Sequence, residues 1–217
     1  MTSSRPLLLG HRGAKYYAPE NTREAFELAL DHGCDGFEFD VRLALGGEAV
    51  CFHDPDCGGR PVSDCAVKDL GVPSFSDVLG NANAFLDIDV KDLNLVPRYA
   101  QQLRLLDPER TVISSFLPQV LAEAALFVPN IPAGLICANA DQLSAFESCG
   151  ADLLVAHHRI LTRDLVRRTH RAGKRVFVWT VNEAARMCHF ASLGVDAIIS
   201  DDTKLLACTL GQFAASA

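Results

Sequence analysis

The chain has 217 residues (23.5 kDa), of which 49% are hydrophobic and 22% charged, with a formal net charge of −7. That length can bury a sizeable core, and the composition excludes wholesale disorder and collagen-like repeats. A sequence pI near 5.4 argues against a dedicated nucleic-acid binder, which needs a basic stripe to neutralise phosphates.

No apolar run approaches the roughly 18 residues of a membrane span. Leu7, Leu8 and Leu9 run straight into Gly10, too short a stretch for the core of a signal peptide, so a soluble cytoplasmic protein is expected. Short apolar runs then alternate with amphipathic stretches from end to end, which signals βαβ units around a parallel sheet. In chain order, strands are expected at 7–10, 36–41, 49–53, 84–90, 111–116, 132–136, 153–157, 175–181 and 197–200. Helices are expected at 22–32, 75–79, 95–106, 118–127, 142–148, 162–172, 183–193 and 203–209, several stopping at a glycine. No linker-like stretch divides the chain, and residues 1–217 read as a single domain.

Nine strands exceed an eight-stranded barrel by one. Only residues 42–48 separate Val41 from Ala49, fewer than the dozen or so that a parallel crossover needs. A hairpin fits, with Gly46-Gly47 as a two-residue turn. That register sets Asp40 opposite His53 and leaves eight βα units. The expected fold is therefore α/β: a compact (β/α)8 TIM barrel with a hairpin extending from the second strand.

Within the second strand, alternation puts Phe37, Phe39 and Val41 on one face and Glu38 with Asp40 on the other. In 86–91 the same logic gathers Asp87, Asp89 and Lys91 opposite Leu86, Ile88 and Val90. Acidic residues converging on a barrel interior are costly unless something positive sits among them. Carboxylates from two strands suit a hard cation such as Mg²⁺ or Ca²⁺. Glu38, Asp40 and Asp89 are the candidate metal ligands, with Asp87 deeper as a structural partner.

His11-Arg12-Gly13 follows the first strand at its C-terminal end, where barrel active sites are built. His53-Asp54 brings a second histidine to the same rim. Two histidines beside a metal suit acid–base cleavage of a phosphodiester, one taking a proton from the attacking oxygen and the other giving one to the leaving alkoxide. Arg12 and Lys91 would offset charge on the phosphoryl oxygens. Trp179, the only tryptophan, lies near the end of the penultimate strand and is expected in the pocket wall.

These segments resemble a known family. His11-Arg12-Gly13, Pro19-Glu20-Asn21-Thr22, Glu38-Phe39-Asp40 and His53-Asp54 are similar to the motifs of glycerophosphodiester phosphodiesterases, of the phospholipase-C-like barrel superfamily. Asp89-Val90-Lys91, Ser114-Ser115-Phe116, Trp179-Thr180-Val181-Asn182 and the closing 194–201 agree. The resemblance implies one divalent cation and hydrolysis of a glycerophosphodiester to sn-glycerol 3-phosphate and an alcohol. By position it implies His11 and His53 as the catalytic pair, Arg12 as the phosphate contact, and Glu38, Asp40 and Asp89 as metal ligands. Lys91 and Trp179 match pocket residues, and Glu20 with its neighbour Asn21 stands just behind the metal.

Two departures stand out. The family has glutamate where this chain has Asp89, and it commonly inserts a small helical subdomain after His-Asp. Here only 35 residues (54–88) separate His53 from Asp89, so 54–74 reads as a shortened insertion loop over a more open cleft, one able to admit lysolipid substrates. Alternatives are a phospholipase-D-like lipid enzyme (sphingomyelinase D-like or lysophospholipase D-like), or a barrel that binds a phosphorylated ligand without catalysis. Cys57 and Cys65, close enough to bridge a loop, favour the former; the eight cysteines otherwise read as free thiols, with no CxxC pair. Ser115 and Asn182 either bind substrate or brace loops. His157 and His158 end a strand, and the arginines of 163–171 follow helical spacing as a solvated face.

Overall fold

Eight parallel strands close on themselves in the computed structural model, which describes residues 5–80 and 83–211. In chain order the strands are β1 (Leu7–His11), β2 (Gly36–Leu43), β3 (Ala49–Cys51), β4 (Asp56–Cys57), β5 (Arg60–Pro61), β6 (Phe85–Val90), β7 (Thr111–Ser115), β8 (Ala133–Cys137), β9 (Leu153–His157), β10 (Arg175–Trp179) and β11 (Ala197–Ser200). The barrel runs β1-β2-β6-β7-β8-β9-β10-β11 and closes through β1 against β11, while β3 adds antiparallel to β2. The helices are α1 (Arg23–Asp31), α2 (Val67–Leu70), α3 (Phe75–Val78), α4 (Leu95–Leu103), α5 (Pro118–Phe127), α6 (Ala140–Phe146), α7 (Arg163–Arg171), α8 (Ala184–Leu193) and α9 (Thr203–Leu210). This is the TIM barrel expected from the alternating pattern.

Side-chain alternation splits the core in two. Leu9, Phe85, Val112, Val155, Phe177 and Ile199 fill the barrel interior. The opposite faces pack outward on the helices: Phe37 stacks on Phe26 of α1 at 4.4 Å between centroids, and Phe39 meets the same ring at 5.7 Å. Burying each such ring is worth roughly 1.5–3 kcal/mol. Thr22 starts α1 by accepting a hydrogen bond from Ala25 N, which fixes the helix directly after the Pro-Glu-Asn segment.

The hairpin differs from expectation by one residue. Val41 pairs with Cys51 and Leu43 with Ala49, so the phase places Phe52, not His53, beside Asp40, and Phe52 N donates to Asp40 O at 3.1 Å. The cause is the turn. Leu45-Gly46-Gly47 forms a three-residue loop with both glycines at positive φ (77° and 79°), closed by Ala44 N to Glu48 O at 2.7 Å. The ladder ends at Cys51, so strand alternation no longer dictates where His53 points.

Residues 54–74 are not a plain loop. They hold the β4–β5 pair, a 3-10 turn at Val62–Asp64 and α2. Cys57 and Cys65 are unbridged, and the Cys65 thiol donates to Pro61 O at 3.3 Å.

Candidate active site

The C-terminal ends of β1, β2 and β6 bring the sequence-derived acidic residues together. The parallel registers align His11 with Glu38, Glu38 with Asp87, and Asp40 with Asp89. Glu38, Asp40 and Asp89 each offer an oxygen within 4.8 Å of the others, all three being buried. A pocket of about 480 Å³, counting its mouth, is lined by these groups and by His11, Arg12, His53, Lys91 and Trp179.

Each charge has a physical consequence. Lys91 Nζ sits between two carboxylates, 2.8 Å from Asp40 Oδ1 and in contact with Asp89 Oδ2. Arg12 approaches Asp40 Oδ2 at 3.1 Å through Nε, and its backbone N–H donates to Glu38 Oε2 at 2.9 Å. Burial would raise the Asp40 pKa, but Lys91, Arg12 and the amide of Asn21 outweigh it and hold it at about 2. For Glu38 the balance reverses: burial, then Asp40, Asp89 and Asp87, outweigh Lys91 and push it well above the usual carboxylate range. Burial likewise lifts Asp87 to about 7 and Asp89 to about 6.

Four carboxyl groups in this pocket thus face two fixed cations, Arg12 and Lys91. Asp89 Oδ1 and Asp87 Oδ2 are buried with no hydrogen-bond donor. An oxygen-only donor set, a deficit of positive charge and an orphaned carboxylate oxygen fit a hard divalent cation at Glu38, Asp40 and Asp89.

His11 is held by a residue that strand patterns did not single out. Its Nδ1 lies 2.6 Å from Asp201 Oδ1, just after β11, and its Nε2 faces Glu38 Oε2 at 3.9 Å. Asn182 fixes Asp201 in turn, donating from Nδ2 to Oδ2 at 2.6 Å and accepting from Asp201 N at 2.9 Å. Asp201 therefore anchors Nδ1–H and leaves Nε2 as the proton acceptor toward the pocket. Burial lowers the His11 pKa despite Asp201, which favours the neutral ring. The turn behind it is tight: Arg12 has φ 54°, and a Cβ on Gly13 would stand 2.6 Å from the Ala25 backbone, so only glycine fits.

His53 stands at the mouth, its side chain 37% exposed, with Nδ1 2.7 Å from Asp54 Oδ1. Arg42 secures this segment: Nε donates to His53 O at 2.8 Å and Nη1 to Asp92 Oδ1 at 3.0 Å, while Asp92 Oδ2 accepts from Leu43 N. Neither Arg42 nor Asp92 was singled out by sequence reasoning.

Glu20 and Asn21 separate. Asn21 is buried and donates to Asp40 Oδ2 at 2.8 Å. Glu20 is half-exposed and pairs with Arg12 and Lys15 instead of approaching the carboxylate cluster. Trp179 donates to Val155 O at 3.2 Å and meets Phe116 and His157 edge-on, at 5.8 and 5.1 Å. His158 is engaged by Thr180 O at 2.7 Å. Ser115 and Asn182 brace loops, Ser115 Oγ donating to Val90 O at 2.6 Å.

A family model described as the glycerophosphoryl diester phosphodiesterase family matches residues 11–105 and 80–205. A glycerophosphodiester phosphodiesterase of Caldanaerobacter subterraneus is 26% identical over 234 residues, covering 93% of this chain and 96% of the relative. The barrel superposes on a glycerophosphodiester phosphodiesterase of Thermotoga maritima with a TM-score of 0.81 at 22% identity, covering 94% of this chain and 98% of that one. An Oleispira antarctica phosphodiesterase in complex with the product sn-glycerol-3-phosphate gives 0.84 at 21% identity, covering 94% and 96%.

Proposed function

The chain belongs to the glycerophosphoryl diester phosphodiesterase family, and on that premise we propose that it hydrolyses glycerophosphodiesters to sn-glycerol 3-phosphate and an alcohol. The observation that supports this most is the meeting of Glu38, Asp40 and Asp89 with an Asp201-anchored histidine in one pocket.

Glu38, Asp40 and Asp89 would hold one divalent cation, Mg²⁺ or Ca²⁺. When bound, it supplies positive charge against the phosphoryl oxygens, as Lewis-acid metals do in phosphoryl transfer. Arg12 and Lys91 add to that field from fixed positions, Arg12 as the phosphate contact. His11 Nε2 takes the proton of the attacking oxygen, either water or the neighbouring glycerol hydroxyl; in the latter case the cyclic phosphate that forms is then opened by water to sn-glycerol 3-phosphate. Asp201 stabilises the imidazolium that results. His53 gives a proton to the alcohol oxygen as its P–O bond breaks. Trp179 and Phe116 wall the pocket with carbon and help exclude water from it.

The reading treats the chain as one catalytic domain with 54–74 as a shortened insertion; 1–4, 81–82 and 212–217 lie outside the described residues. Among the described residues no helix is long and apolar enough to cross a membrane. The eight unbridged thiols fit a reducing compartment such as the cytoplasm.

The test is direct. Purified protein, stripped with chelator and resupplied with Mg²⁺ or Ca²⁺, is incubated with glycerophosphoglycerol and assayed for sn-glycerol 3-phosphate. Metal-dependent release is expected. Failure of every diester tried, with either metal, overturns the reading.

A further inference from the structure

Beside the central pocket runs a second groove, between the β2–β3 hairpin and the β7–α5 connection, floored by the end of β6. It shares His53, Lys91 and Phe116 with the central pocket, so it opens where the leaving oxygen receives its proton. Pro55, Val90 and Leu117 form the remaining apolar wall.

Apart from His53 Nε2, which faces the leaving oxygen in this reading, the polar side chains lining the groove are already engaged. Ser115 Oγ donates to Val90 O and accepts from Leu117 N at 3.1 Å. Arg42 is tied to His53 O and Asp92, and Lys91 to Asp40 and Asp89. No unpaired acid or base among these is left for an ionic head group. The Phe116 ring, where a quaternary ammonium would seek a cation–π partner, already has Lys91 Nζ 5.6 Å from its centroid.

Leu117 supplies an independent sign. It is the N-cap of α5, makes no side-chain cap bond, and is 37% exposed. Serine, threonine, aspartate or asparagine would start this helix better, so leucine there costs local stability. Such breaches of local preference concentrate where function demands them.

We propose that this groove holds the alcohol half of the diester and selects an uncharged, apolar alcohol, such as one bearing an alkyl or acyl chain. The inference rests on the phosphodiesterase reading above and adds its substrate class.

Three diesters of sn-glycerol 3-phosphate, differing only in the alcohol (n-hexanol, glycerol or choline), separate the possibilities. The hexyl ester is expected to show a KM about tenfold below the glyceryl and choline esters, the discrimination a few buried methylenes give. In Leu117→Ser the helix keeps a favoured N-cap. Its hexyl-to-glyceryl ratio of kcat/KM should fall about tenfold relative to the parent's; intrinsic leaving-group differences cancel in that comparison. A flat KM series, or equal slowing of all three esters by Leu117→Ser, overturns the groove assignment and leaves the phosphodiesterase standing. No hydrolysis of any ester overturns both.

Discussion

The two halves of the barrel mouth are built to opposite rules. β1, β2 and β6, with the residues just after them, carry His11, Arg12, Glu38, Asp40, Asp87, Asp89 and Lys91. To the pocket lining β7 to β11 contribute one hydroxyl, Ser114, and otherwise carbon such as Ile136, Val155 and Ile199, with Asp201 standing behind His11 after β11. The apolar half is ordinary core, where burial is favourable. The acidic half stacks carboxyl groups that repel one another and are only partly offset by Arg12 and Lys91. One closed sheet thus lets stability gathered on one side offset the cost of a charged site on the other.

Substitutions in the two halves should therefore fail differently. The largest effect is expected for His11→Ala and His53→Ala: each should cut kcat by at least about a hundredfold, the usual scale of acid–base assistance, with the melting temperature little changed. Near-normal turnover in both would break the acid–base account. Arg42→Ala acts at one remove, by loosening the His53 backbone. It should lower kcat by about tenfold while leaving KM within twofold, since misplacing a catalytic group affects the transition state more than binding. An equal rise in KM would make Arg42 a binding residue instead.

On the apolar side, Ile136→Ala should lower stability by about 2–4 kcal/mol in urea unfolding, yet leave turnover of the folded fraction within about threefold. Glu38→Gln is its mirror image, with the smallest effect on stability. Removing a buried carboxyl that Lys91 only partly offsets should raise metal-free stability by about 1 kcal/mol, a gain of roughly 2–4 °C, while abolishing activity. A destabilised, metal-free Glu38→Gln would mean that the acidic half is not strained.

Much of this division was legible in the chain. Alternation in 36–41 and 86–91 showed which side chains turn inward, and those strands lie where the pattern put them. The residues that follow no pattern were harder. The hairpin register slipped by one because two adjacent glycines allow either a two- or a three-residue turn, and only the closing Ala44–Glu48 bond decides between them. The two-residue strands β4 and β5 are too short to show any period. Asp201 meets His11 across 190 positions, and Arg42 meets Asp92 across 50; such contacts exist only once the barrel closes. Asp201 ends a segment that the family resemblance covers, but nothing local says which side chain it meets, which is why its role as the orienting partner of His11 came from the fold.

The central claim is that the acidic half is a cation site. Chelator-treated protein titrated with Mg²⁺ or Ca²⁺ in a calorimeter, beside Asp89→Asn, tests it most directly. The account predicts one ion per chain, a higher melting temperature on binding, and affinity weakened at least about tenfold in the variant. Equal binding by both proteins, or none by the parent with chelator leaving hydrolysis unchanged, would contradict it.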